Sequence, residues 1–94
     1  MEPTELISAV LERVNIVDLV SEHTSMLENK QKFVGNCPFH DDNNASFWAD
    51  GEIGYFGCYQ CFASGDVLAF VQKTNNCDFM TALEYLAEKY RIGK

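Results

Sequence analysis

No run of apolar residues in this chain lasts more than a few positions, which excludes a membrane-spanning helix. Glycine-rich phosphate loops are missing, as are a Ser/His/Asp set and any carboxylate pair placed for acid–base work. Basic side chains are scarce, with 7 against 14 acidic ones and a formal net charge of −7. A chain of that sign is repelled by bulk polyanion, which counts against tight non-specific binding to duplex DNA. A local site for single strands stays open, because stacking on aromatic rings contributes there alongside charge. Internal repeats, low-complexity runs and linkers are absent too. Glu2 and Glu5 stand where a secretory signal would carry its basic region, so a cytoplasmic location is expected.

What is present is 94 residues, 47% hydrophobic and 22% charged, the composition of a folded globular chain. That length predicts one domain over 1–94, expected as a monomer. A scaffold this small commonly relies on a metal, disulfides or a partner.

Hydrophobic periodicity divides the chain into three zones. Leu6, Ile7, Val10, Leu11 and Val14 form a helical stripe, with Thr4 as its cap. Asn15 caps a second short helix carrying Ile16, Leu19 and Val20, which predicts helices over about 4–22. Between about 25 and 64 the pattern changes to short aromatic and β-branched runs, Phe33-Val34, Phe47-Trp48 and Tyr55-Phe56. These predict three or four short antiparallel strands, with Asp50-Gly51 as a hairpin turn. Helical spacing returns over about 66–91. Val67, Leu68 and Val71 form one face, and Phe79, Ala82, Leu83, Leu86, Ala87 and Tyr90, capped by Asp78, form another. The fold class is therefore α+β, a short antiparallel sheet flanked by N- and C-terminal helices.

The chemistry concentrates in two half-sites, Cys37-Pro-Phe-His40 and Cys58-Tyr-Gln-Cys61, separated by 17 residues. A tight turn at a strand end brings residues i and i+3 together, so both side chains reach one ion. Two such knuckles complete a tetrahedron of sulfur and nitrogen, the arrangement zinc prefers. Four protein ligands leave no open position for water or substrate, which predicts one structural Zn²⁺ in a zinc ribbon. Two disulfides would also use four cysteines, but the paired spacing and the absence of an export signal favour metal. Cys77 is left over and reads as a small buried hydrophobe, His23 has no partner nearby in sequence, and Asp41-Asp42 reads as a solvated turn.

These residues also follow a known order: Ile16-Val17-Asp18-Leu19-Val20, Cys37-Pro-Phe-His40, Ala45-Ser46-Phe47, Tyr55-Phe56-Gly57-Cys58-Tyr59-Gln60-Cys61, Ser64-Gly65-Asp66, then Phe79 through Tyr90. From about Leu6 to Ile92 the chain resembles the N-terminal zinc-binding domain of bacterial and phage-type DNA primases, the CHC2 zinc-finger family. The resemblance implies a zinc ribbon that contacts single-stranded template DNA and helps choose where a primer begins. Nucleotidyl transfer would belong to a separate catalytic primase domain, which with a helicase is the expected protein partner; the chain alone would not be an enzyme. Departures from the family pattern spare the metal ligands. Asn43-Asn44-Ala45-Ser46-Phe47 replaces Lys-Thr-Pro-Ser-Phe, Tyr59 and Gln60 fill the second knuckle, and the basic residues before the first knuckle have thinned to Lys30 and Lys32.

The expected template contacts are Lys30 and Lys32 at phosphates, with Phe33, Trp48 and Tyr55 offering ring faces from one exposed side of the sheet. An alternative of another class is a zinc-ribbon interaction module that docks on replication or mobile-element proteins, its acidic surface suiting a basic partner.

Overall fold

The computed structural model describes residues 2–23, 27–29 (by backbone), 32–40 and 45–93. Lys30 and the Asp41–Asn44 stretch lie outside the described residues.

Helix α1 spans Pro3–Arg13 and α2 spans Ile16–Ser21. The first begins earlier than a Thr4 cap would place it. Pro3 opens it, where its fixed φ suits a helix and its missing N–H leaves no bond unmade. Asn15 caps α2 as expected, its Oδ1 accepting the Val17 N–H at 2.8 Å. Among the described residues five strands follow before the next helix: β1 Leu27–Asn29, β2 Lys32–Gly35, β3 Phe47–Asp50, β4 Tyr55–Cys58 and β5 Ser64–Gly65. They form one antiparallel meander in sequence order. The sequence indicated three or four; β5, two residues long, carries too little pattern to be read.

The β3–β4 connection runs through four residues, not a two-residue turn at Asp50-Gly51. Asp50 accepts the Glu52 N–H on its side chain at 2.9 Å and the Gly54 N–H on its carbonyl at 2.9 Å. Gly54 takes the left-handed position at φ 74°. Helices α3, Val67–Asn75, and α4, Phe79–Lys89, close the chain. Asp66 and Asp78 cap them by accepting the Ala69 and Thr81 N–H groups at 3.0 and 2.8 Å. No helix among the described residues is long and apolar enough to cross a membrane.

Register decides which side chains meet the core. Phe33 pairs with Ala49 and Ala49 with Phe56, and Gly35 pairs with Phe47, so these side chains share one face of the sheet. That face is buried: Phe33, Phe47, Ala49 and Phe56 are at most 2% exposed. The α2 helix packs on β3, α3 on β5, α4 on α3 and α1 on α4. Val10, Ile16, Leu19, Val20, Leu68, Phe70, Leu83 and Leu86 from these helices complete the core. Phe79, read from periodicity as part of the inner face of α4, is 39% exposed; it opens the helix, and the buried positions begin at Ala82.

The opposite face carries Lys32, Val34, Trp48, Asp50, Tyr55 and Gly57. Here Trp48 pairs with Gly57, and a Cβ placed on Gly57 would lie 2.6 Å from Cζ2 of the indole. The glycine is required because the ring lies flat across its backbone. Gly57→Ala is therefore expected to lower stability by about 1–3 kcal/mol through overpacking. It should also shift the emission of Trp48, the only tryptophan. Thermal melts followed by that fluorescence test this, and an unchanged midpoint would show that the ring yields freely.

Candidate metal centre

Each half-site sits where a strand ends. Cys37 and His40 flank the Pro38-Phe39 turn just beyond β2. Proline sets φ for such a turn. Cys58 is the last residue of β4, and Cys61 stands in the turn before β5. The second turn is closed by two backbone bonds, Phe62 N–H to Cys58 C=O at 3.0 Å and Cys58 N–H to Ala63 C=O at 2.9 Å. The side chain of Asn36 accepts the Ala45 N–H at 3.2 Å, tying the chain before the first knuckle to the chain after it.

The four donor atoms lie within 4.8 Å of one another. Cys37 Sγ is 3.8 Å from Cys61 Sγ, and His40 Nε2 is 3.3 Å from Cys58 Sγ. Tetrahedral zinc with Zn–S near 2.3 Å and Zn–N near 2.0 Å would set those separations at about 3.8 and 3.5 Å. The residues fit the ion, and Nε2 is the His40 nitrogen that faces the thiols. None of the four cysteines is disulfide-bonded.

Electrostatics agree with the geometry. Burial opposes ionisation of Cys58, but the Cys61 amide, the His40 ring and the Gln60 amide outweigh it and hold the thiol down at about 6. The amide contacts are 3.5 Å from Cys61 and 3.4 Å from Gln60. Cys37 goes the other way. Burial pushes it up to about 12, with Cys58 and Cys61 adding to the rise against the Phe39 amide at 3.5 Å. Burial of Cys37 therefore works against the thiolate that a metal site needs there. A dication supplies the missing positive charge, and three sulfurs with one imidazole are a zinc donor set.

The other sequence-predicted residues divide. Trp48 and Tyr55 share the open face of the sheet with Lys32, whose Nζ lies 4.0 Å from Asp50 Oδ2 and whose side chain is largely in solvent. Phe33 does not join them. At 1% exposure its ring packs edge-on to Phe47, centroids 5.9 Å apart. The register places Val34, not Phe33, opposite Trp48. Lys30 lies outside the described residues. Cys77 is half-buried and reaches the Val71 carbonyl at 3.9 Å, while His23 stands edge-on to Phe70 at 5.5 Å. Sequence reasoning missed Ser64 and Gly65, which with Trp48, Tyr55 and Phe56 line a groove of about 250 Å³ on the open face. No sequence signal marked them, since β5 is two residues long and its pairing with β4 appears only in the structure.

A profile of the CHC2 zinc finger family matches residues 2–94. The DNA primase of Thermotoga maritima is 36% identical over 92 residues, covering 98% of this chain and 16% of that protein. The DNA primase of Mycolicibacterium smegmatis is 38% identical over 88 residues, covering 93% and 14%. The crystal structure of the Aquifex aeolicus primase, comprising its zinc-binding and RNA polymerase domains, superposes with a TM-score of 0.81 at 29% identity, covering 90% of this chain and 21% of that one. The chain thus spans only about a sixth of the length of the primases it matches.

Structural zinc contributes about 10–16 kcal/mol in zinc-finger peptides near neutral pH. That rivals the whole net stability of an ordinary domain, about 5–15 kcal/mol. Chelation, acid that protonates the ligands, or Cys58→Ser is therefore expected to unfold at least the ribbon. Cys77→Ser should leave zinc content at one per chain and the melt unchanged. Metal analysis with near-UV circular dichroism checks both, and a full native spectrum after chelation would refute the expectation. A Cys37–His40–Cys58–Cys61 centre, on a fold shared with the zinc-binding domain of a primase and matched from residue 2 to residue 94, establishes that the chain belongs to the CHC2 zinc-finger family.

Proposed function

We propose that the chain is a zinc-binding module that recognises single-stranded DNA template within a primase-like replication protein, and that it is not catalytic alone. The observation that carries this reading is the open face of the sheet. Trp48 and Tyr55 line a groove there, Tyr55 is 51% exposed, and Lys32 stands on the same face. Unstacked bases can lie on such rings irrespective of sequence, while a nearby ammonium meets the backbone. Lys30, two residues before Lys32, would add a second phosphate contact. A closed four-ligand metal centre leaves no position for substrate, which supports recognition over catalysis. Nucleotidyl transfer then falls to a catalytic primase domain, with a helicase as a further partner. All of these primases being several times longer than this chain supports that division.

The net charge of −7 supports a second reading, docking on a basic protein surface. The two separate cleanly in solution. Titrating zinc-loaded protein into a labelled single-stranded oligodeoxynucleotide should raise its anisotropy, and unlabelled oligodeoxynucleotide added to the protein should quench Trp48. Trp48→Ala is expected to weaken binding by about 1–3 kcal/mol. Lys30→Ala with Lys32→Ala should weaken it across all sequences and flatten the salt slope by about 0.7 for each phosphate no longer neutralised. No binding at low salt, with zinc at one per chain, would move the assignment to the docking module.

A further inference from the structure

Phe62 stands at φ 63°, a conformation bulky side chains avoid. The knuckle imposes it. With Phe62 N–H bonded to Cys58 C=O and Cys58 N–H bonded to Ala63 C=O, the chain must reverse between Cys61 and Ala63. Glycine takes such a position without strain, and asparagine tolerates it. Phenylalanine brings no packing in return, since it is 82% exposed. Tyr59, at the start of the same turn, is 76% exposed. Two rings therefore project from the tip of the knuckle at a cost the fold does not recover, the condition under which backbone strain points to function.

We infer that Tyr59 and Phe62 form a stacking platform for unpaired bases, extending the Trp48–Tyr55 groove past the metal centre. Phe62 lies two residues before Ser64, which with Gly65 lines the groove. The Tyr59 N–H donates to the Ser46 carbonyl at 3.0 Å, and Ser46 lies two residues before Trp48. Both tip rings thus stand a short stretch of chain from the groove. Between them stand Gln60 and Cys61, and Ala63 and Ser64 follow, so the rings are separate platforms among small or polar neighbours. A protein-docking surface would be a contiguous apolar patch. No basic residue lies between Tyr55 and Asp66. Ring faces can hold bases without one, which suits a strand-binding surface on so acidic a chain.

The inference rests on the template reading, and the test separates the two. Phe62→Gly and Phe62→Asn keep the left-handed backbone and remove the ring. In the zinc-loaded chain both are expected to raise the melting midpoint by a few degrees. Both should also weaken binding of the labelled oligodeoxynucleotide about tenfold. The salt slope should not move, because the ring carries no charge, and Tyr59→Ala should weaken binding in the same way. If Trp48→Ala loses affinity while the Phe62 and Tyr59 variants bind like the parent, the platform is refuted and the template reading stands. Higher stability with unchanged DNA affinity refutes it equally, since the strain would then serve another partner. If the parent chain binds no oligodeoxynucleotide, both fall together.

Discussion

Cys37 and Cys61 hold their sulfurs 3.8 Å apart, and two negative charges at that distance repel by about 4 kcal/mol even at an effective dielectric near 20. A third thiol and an imidazole share the same few ångströms. Such a cluster is unstable unless protons or a cation occupy it, and everything local depends on which. With zinc, the end of β2, the end of β4 and the turn before β5 become one rigid joint. With protons alone, three strand ends have little reason to meet. The amides of Phe39, Gln60 and Cys61, each aimed at a sulfur, show backbone already shaped for negative charge.

The joint reaches the core through Cys37 and Cys58, both buried in it, and through the ring of Phe39. Phe39, inside the first knuckle, packs against Phe70 at 5.5 Å, Phe56 at 5.7 Å and Phe47 at 6.0 Å. Phe56 also meets Phe70, so sheet, α3 and knuckle converge on one aromatic cluster. Burying a Phe side chain contributes about 1.5–3 kcal/mol, and each well-placed ring pair about 0.5–1.5 kcal/mol more. Opening the metal site would withdraw Phe39 from three partners at once. Metal binding and core packing are thus two halves of one cooperative unit, which lets a short chain hold a five-stranded sheet whose longest strand has four residues.

Legibility followed the strength of the local constraint. The metal ligands could be read because coordination chemistry dictates their spacing. Asn15 and Asp78 could be read because a helix start needs a side-chain acceptor, while Asp66, doing the same work for α3, was hidden behind Gly65. Strand register was harder. Lys32-Phe33-Val34-Gly35 puts two apolar residues side by side, and four residues allow either face to be the inner one. Only the partner strand decides: Phe33 against Ala49 fills the core, and Val34, 57% exposed, is left outside. The platform at the second knuckle was illegible for a different reason. Nothing in the string Cys58-Tyr-Gln-Cys-Phe-Ala announces that position 62 has positive φ, so the cost of a phenylalanine there appears only with the backbone.

An acidic chain that grips single strands faces an electrostatic penalty it cannot remove with one or two lysines. On the template reading its affinity would come largely from ring faces, which accept any base. Selectivity would then come from geometry, from which bases can lie on Trp48 and Tyr55 while the strand passes the knuckle. A weak, shape-based contact suffices when the strand is also held elsewhere. On that reading, a catalytic partner on the same template would raise the local strand concentration to roughly millimolar when the connection is short and flexible, so modest stacking by the module would be multiplied instead of having to stand alone. On that argument the scarcity of basic residues is compatible with the role: a module that held template tightly by charge would resist the strand's movement, whereas one that stacks bases can mark a position and let go.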